Sequence, residues 1–419
     1  MSMPVWRQGM AVGEWKKLAN STRSGKNPDG SLIVPDDYFT FAGLTPPSQR
    51  PAPYTGMADF GTNKYGYVGW GNNQKSQTSS GGPATYSGMW FDEELCDMYT
   101  DGGDSRWGET SVHKYSFNCD DPFWTPAVIK SSHKDNFRVP STPQGQSPIV
   151  YPVAWPADCN RVNKMYDGTR RGGHTYHTQW FIRGMNALAC FGSHQYFPVD
   201  MGSSPEVEVA DLTNGWWVPA MQEGAGPIAT IPIHTGDNLP WMAKHTMTED
   251  VWMWRGDRLM VWRYATGLYD TVFVGYAGMR LSGAIDLASG NIFLAGQIGT
   301  APHQYFTIEL EAPYTHQTVT LDGPFASQLT PNRKGGLWFS SDLQQILYFK
   351  DDGHVHTVKP QTGNTYEVDR ITTTGEVPPA GSMTAKAGGP LNNFQDCPPL
   401  GGMFCRMGDT KPSYFLATI

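Results

Sequence analysis

Apolar residues along this chain fall in short runs that alternate with polar ones or are apolar throughout, and the long helical period is missing. Ser111–Phe117 alternates as a half-buried strand does, and so do His174–Ile182 and Glu206–Asp211. Asp250–Trp254, Leu259–Tyr264 and Thr271–Val274 are compact apolar-aromatic runs of strand length. Turn chemistry separates the runs: Asp120-Asp121-Pro122, Asn214-Gly215, Asp351-Asp352-Gly353 and Thr362-Gly363-Asn364. The pattern predicts short antiparallel strands in successive groups of about four, which is the size of a propeller blade.

The groups can be followed along the chain. The first runs from Thr55 to Val128, with strands expected at Met57–Phe60, Tyr65–Trp70, Met89–Asp92 and Glu94–Tyr99. In it the glycine pair Gly102-Gly103 is followed by Tyr115 and then by Trp124. A proline-rich connection, about 131–167, follows and reads as irregular, because proline has no backbone donor for a central strand. The second group holds Asn186–Gly192 and a strand opened by Trp216. Later groups hold Gly283–Leu287, Gly290–Ala295 and Tyr305–Leu310, then Gly336–Ser340, Gln345–Lys350, Gly353–Val358 and Thr365–Ile371.

The two ends fit each other. Gly401–Met407 and Ser413–Ile419 form a last group that lacks a tryptophan-bearing outer strand. Val12–Leu18, with Trp15, is such a strand without a group. The expectation is one all-β propeller domain over 1–419, of about six four-stranded blades, closed by an N-terminal strand at about 12–18.

Composition agrees. The 419 residues include 47 Gly, 32 Pro and 13% aromatics, with only 17% charged. A net charge of -8 without a basic cluster makes nucleic acid an unlikely partner. No apolar run reaches membrane-span length, and the start lacks a secretion-type apolar core, so synthesis in a cytoplasm is expected. Six cysteines, none in Cys-x-x-Cys, read as buried free thiols.

The Gly102-Gly103…Tyr115…Trp124 unit resembles the blade motif of kelch or galactose-oxidase-type propellers, with Trp216 and Trp15 at comparable outer-strand places. The opening Trp6-Arg-Gln-Gly-Met-Ala-Val-Gly-Glu-Trp15 and the stretch Arg171-Gly-Gly-His174-Thr-Tyr176 resemble kelch-like virion proteins of tailed bacteriophages. That resemblance implies a structural protein of the virion (tail nozzle, head–tail connector or fibre-associated), present in several copies. Its partners would be other virion proteins, with host-surface glycan a further one.

No catalytic, cofactor-binding or metal-ligating set stands out. His174 and His177 point to opposite faces of a strand, while His354 and His356 share one and read as a solvated pair. The adjacent carboxylates Asp92-Glu93-Glu94, Asp120-Asp121, Glu249-Asp250 and Asp351-Asp352 fall where turns are expected. Trp70, Trp90, Trp107, Trp155 and Trp241 lie in or near expected loops and could stack on sugars, although filling the space between blades accounts for most of them. Glycan binding or cleavage is the alternative function, with copper-radical oxidation behind it.

Overall fold

A computed structural model describes residues 2–18, 89–101, 112–120, 122, 124–127, 130–131, 179–185, 187–191, 207–211, 216–218 and most of 241–419. Within that last range it leaves out 256–257, 268, 276–278, 299–301, 331–334, 351–352, 381–393 and 408–412. The described strands are β1 (Glu14–Lys17); β2–β5 (Met89–Asp92, Asp97–Asp101, Val112–Ser116, Trp124–Ala127); β6 (Lys130–Ser131); and β7–β10 (Gln179–Ile182, Ala187–Phe191, Val207–Asp211, Trp216–Val218). There follow β11–β14 (Trp241–Lys244, Val251–Arg255, Arg258–Trp262, Tyr269–Val274), β15–β18 (Met279–Asp286, Asn291–Ile298, Gln304–Glu309, His316–Thr318) and β19 (Thr320–Asp322). The last are β20–β23 (Gly335–Ser340, Gln345–Lys350, Val355–Pro360, Thr365–Arg370), β24 (Thr374–Gly375) and β25–β27 (Phe394–Cys397, Gly402–Arg406, Ser413–Ala417).

The fold is all-β and of propeller type. The described strands make six separate sheets, each built on an antiparallel meander. The chain divides into two compact units, one of residues 1–19, 176–178 and 226–419, the other of 20–175 and 179–225. In the first unit the leading strands β11, β15, β20 and β25 touch in succession; in the second, β2 touches β7. The cores lie between neighbouring sheets. Trp241, Trp252, Trp254 and Leu259 meet Ile285, Ile292, Leu294 and Phe306, and on the other face of that sheet Phe293 and Ala295 meet Ile346, Tyr348 and Val368. A sheet covered on both faces needs apolar residues on both, so β21 reads Ile346-Leu347-Tyr348-Phe349, all buried. The outer strand β23 keeps the alternation of a half-covered strand.

Five of the six sheets open with the same hairpin. A four-residue loop joins Asp92 to Asp97, Ile182 to Ala187, Asp286 to Asn291, Ser340 to Gln345 and Cys397 to Gly402. In four of these the last loop residue has a left-handed backbone: Cys96, Gly290, Gln344 and Gly401. Three leading strands end in a residue that caps its own loop. Asp92 Oδ1 accepts from the Glu94 and Leu95 amides, Asp286 Oδ1 from those of Ala288 and Ser289, and Ser340 Oγ from that of Leu343.

Three sheets carry a fifth strand. β6, β19 and β24 each run parallel to the outermost strand of a sheet, on β10, β23 and β1. The chain thus passes along the outer edge of the sheet before crossing to that sheet's leading strand. An open edge offers unpaired main-chain groups to other chains, and these straps occupy it.

Several sequence expectations change. Trp90, on the expected strand Met89–Asp92, and Trp241, on β11, are each 1% exposed, so neither ring is open for stacking on a sugar. Glu94–Cys96 is turn and not strand, because the Asp92 cap and the left-handed Cys96 turn the chain there. His356 is fully buried opposite Tyr348 and not solvated. Strands β11, β18 and β25 were not anticipated. Gly102-Gly103, the Met57–Phe60 and Tyr65–Trp70 strands, His174, His177, Trp70, Trp107, Trp155 and the 132–167 connection lie outside the described residues.

Candidate functional site

The candidate site is the sheet where the N-terminal segment joins the C-terminal strands. Its order is β24-β1-β27-β26-β25, so β1 lies between two strands from far along the sequence. β1 runs antiparallel to β27, with Trp15 opposite Leu416, Lys16 opposite Phe415 and Lys17 opposite Tyr414. It runs parallel to β24, with Glu14 opposite Thr374. This clasp is the pairing expected from the two ends, with the strand confined to Glu14–Lys17 where the sequence suggested about 12–18.

Side chains fix it. Trp15 is 1% exposed, its ring centroid 5.7 Å from that of Phe349 and 6.4 Å from those of Phe394 and Tyr414. A 3₁₀ turn at Val5–Arg7 brings Trp6 edge-on to Phe415 at 5.1 Å. Arg7 donates from Nε to the Leu400 carbonyl at 2.8 Å, and from Nη2 to those of Gly401 at 2.9 Å and Ile419 at 2.7 Å. Its guanidinium also lies over the Phe415 ring. Burial pulls the Arg7 pKa down, while the charges of Asp342 and Glu14 oppose the shift.

Glycines let the strands close. Gly13 has φ of 83°, and a Cβ there would sit 2.6 Å from the Thr372 carbonyl oxygen. The main chain bonds on both sides: Gly13 N–H to Ala417, Leu18 N–H to Ser413, Thr374 N–H to Gly13 and Glu376 N–H to Trp15. The Lys17 amide adds a bond to the Glu376 carboxylate.

A polar junction joins this sheet to the neighbouring β20–β21 loop. The Ser341 amide donates to Asp396 Oδ2 at 3.1 Å, and the Thr418 hydroxyl to Asp342 Oδ2 at 2.7 Å. Burial pushes the Asp396 carboxyl up to about 7, although the Ser341 hydrogen bonds favour its charged form.

The other candidate groups do structural work. Asp250 accepts from Arg263 Nη1 and from the Tyr264 amide, Glu249 pairs with Lys244, and Glu93 pairs with Arg183. Among the described residues no cluster of three or more His, Cys, Asp or Glu could hold a metal ion. No helix there is long and apolar enough to cross a membrane. Of the motif residues, Tyr115 is fully buried on β4 and directly opposite Trp124 on β5; Trp216 opens β10. The clasp anchors Trp6 and Arg7 were not singled out in the sequence. Their signal is a tryptophan and an arginine just ahead of a lone strand.

No protein-family model matches the chain, and no curated protein matches it in sequence. Solved structures are similar at low identity. PorZ, a surface component of the type-IX secretion system of Porphyromonas gingivalis, is 11% identical over 80% of this chain, with a TM-score of 0.40; this chain spans 38% of its length. YjhT is 9% identical over 79% of this chain and 93% of its own, at 0.41. A xyloglucanase from Xanthomonas campestris is 11% identical over 79% and 45%, at 0.36. Fold likeness of this kind does not carry an activity from one protein to another.

Proposed function

We propose that the protein is a non-enzymatic scaffold of propeller type, its C-terminal sheet completed by β1, mounted in several copies in a tailed-phage particle. The phage part rests on the sequence resemblance alone. One observation supports a structural role for the resembling stretch. Of the resembling stretch, Trp6, Arg7, Gly13 and Trp15 are the residues buried in the clasp. In this chain the stretch holds a sheet together, which supports a structural role for it. Of the buried carboxylates described above, Asp92 and Asp286 cap loops, Glu249 and Asp250 form ion pairs, and Asp396 accepts from the Ser341 amide.

Mass spectrometry of purified particles from the source phage tests the reading. The protein should appear in a fixed ratio to tail or connector proteins. Its absence from particles that carry their full set of tail proteins overturns the virion role.

A further inference from the structure

The strap β19 ends on an exposed aspartate followed by a glycine. Asp322 lies opposite Glu367 on β23, and Gly323 begins the turn that carries the chain to Phe325 and Ala326. The Gly323 N–H donates to Oδ1 of Asp322 itself, at 2.7 Å. The carboxyl carbon is one covalent bond beyond that oxygen. The Gly323 nitrogen is therefore held close to the atom it would attack to close a five-membered imide ring.

Glycine is required at this step. Its φ is 96°, and a Cβ there would sit 2.6 Å from the Val368 carbonyl oxygen. The missing side chain also leaves the nitrogen unshielded. Asp369 supplies the comparison. Its Oδ1 accepts from the amide of the next residue, Arg370, at the same 2.7 Å, but Arg370 has a side chain and lies in the β22–β23 ladder opposite His356. Asp322-Gly323 is the one Asp-Gly step with both members among the described residues.

The chain is anchored on both sides of the step. The Thr320 N–H donates to the Asn364 carbonyl and the Phe325 N–H to that of Val368, while the Arg370 guanidinium lies 4.4 Å over the Phe325 ring. A main chain lengthened between these anchors no longer spans them in register.

We propose that Asp322-Gly323 is a self-modification site, at which the folded chain converts Asp322 to isoaspartate through a succinimide and so loosens the end of the strap. In the first step the Gly323 nitrogen bonds to Cγ of Asp322, and the hydroxyl of the acid form leaves with the nitrogen's proton as water. In the second, water adds to the main-chain carbonyl carbon of Asp322 in the imide, and the bond from that carbon to nitrogen breaks. Gly323 is then joined through Cγ, with one more methylene in the main chain and no net change in mass. The inference is independent of the virion reading.

Incubation of the intact protein in heavy-oxygen water at about pH 6 tests it. Peptide mapping should find one heavy oxygen at residue 322, with isoaspartate identified there by fragmentation across the N–Cα bonds, and none at residue 369. A synthetic peptide spanning His316–Gln328 sets the time scale. No label at 322 in the folded protein by the time the peptide has half converted overturns the proposal. Asp322→Glu keeps an exposed carboxylate but would need a six-membered ring, so its label should vanish; labelling equal to wild type also defeats the succinimide route. Hydrogen exchange reads the strap. The Phe325 amide should exchange faster in the isoaspartate fraction than in the unmodified protein, and equal exchange overturns the loosening.

Discussion

Trp15 and Leu416 face each other in an antiparallel ladder, although about four hundred residues of chain lie between them. The pair sits where the N-terminal segment becomes part of a sheet otherwise made from residues 374–417. Trp15 brings the large side chain, and Phe349, Phe394 and Tyr414 form its pocket. Trp15→Ala should lower stability by about 3–5 kcal/mol, the range for emptying a buried aromatic site. Trp15→Phe should lose much less. Denaturant unfolding of both variants checks the order, and an alanine variant as stable as wild type would remove the clasp from the core.

Asp396 gives a pH dependence of definite sign. Its carboxyl is raised from the ordinary aspartate value, 3.8, to about 7 by burial. The folded protein therefore favours the neutral acid. That preference stabilises the fold fully below about pH 4 and is lost as pH climbs to 7, above which the buried charge is carried in full. Asp396→Asn should raise the melting temperature at pH 8 and leave it nearly unchanged at pH 4. A variant with no gain at pH 8 would mean that the carboxylate is better served than its single Ser341 partner implies.

His245 acts in the opposite sense. Its Nδ1 accepts from the Met247 and Thr248 amides in the β11–β12 loop, which requires the neutral ring. Burial lowers its pKa from 6.5, with Asp250 and Glu249 pulling the other way. The stabilisation is complete above pH 6.5 and falls away as pH drops through the folded value. Met247, 82% exposed at the loop tip, should then become mobile. Backbone NMR of the loop at pH 7 and pH 5 reads this, and His245→Ala should remove the difference between the two.

The repeated hairpin predicts a contrast among glycines. Gly290 has φ of 72° with nothing near a would-be Cβ, so Gly290→Ala should cost only about 1 kcal/mol in backbone strain. Gly402 is crowded by the Leu416 carbonyl and the Phe415 ring, so Gly402→Ala should cost more, about 1–3 kcal/mol or above. Gln344 occupies the same left-handed loop position as Gly290, at φ of 52°. Gln344→Gly should therefore be neutral or stabilising by up to about 1 kcal/mol. Thermal melts of the three variants give the ranking directly.

Much of the strand pattern could be read from the chain because outer strands alternate. Glu367 and Asp369 punctuate Tyr366 and Val368 on β23, and that rhythm is visible in sequence. Leading strands were harder. The strand of Trp241 was not anticipated because a strand covered on both faces has no alternation to display. The recurrent hairpin escaped notice because its loop-ending position is filled by Cys96, Gly290, Gln344 and Gly401, which share a backbone angle and little chemistry. The clasp was legible as a lone tryptophan-bearing strand, whereas Arg7 was not, since its partners are carbonyls that carry no sequence signature.

The straps β6, β19 and β24 bear on the order of events at the ribosome. β6 and β19 are each synthesised before the sheet whose rim they guard, so a guard is already waiting when the outermost strand emerges. The C-terminal sheet departs from this order: β24 precedes β25–β27, but the strand it guards is β1, the earliest strand made. β1 therefore stays without its β27 ladder until the end of elongation, and that pairing is the slow, late step that contact between distant residues imposes. Nascent chains held on ribosomes at successive lengths should show Trp15 becoming shielded only after β27 has left the exit tunnel.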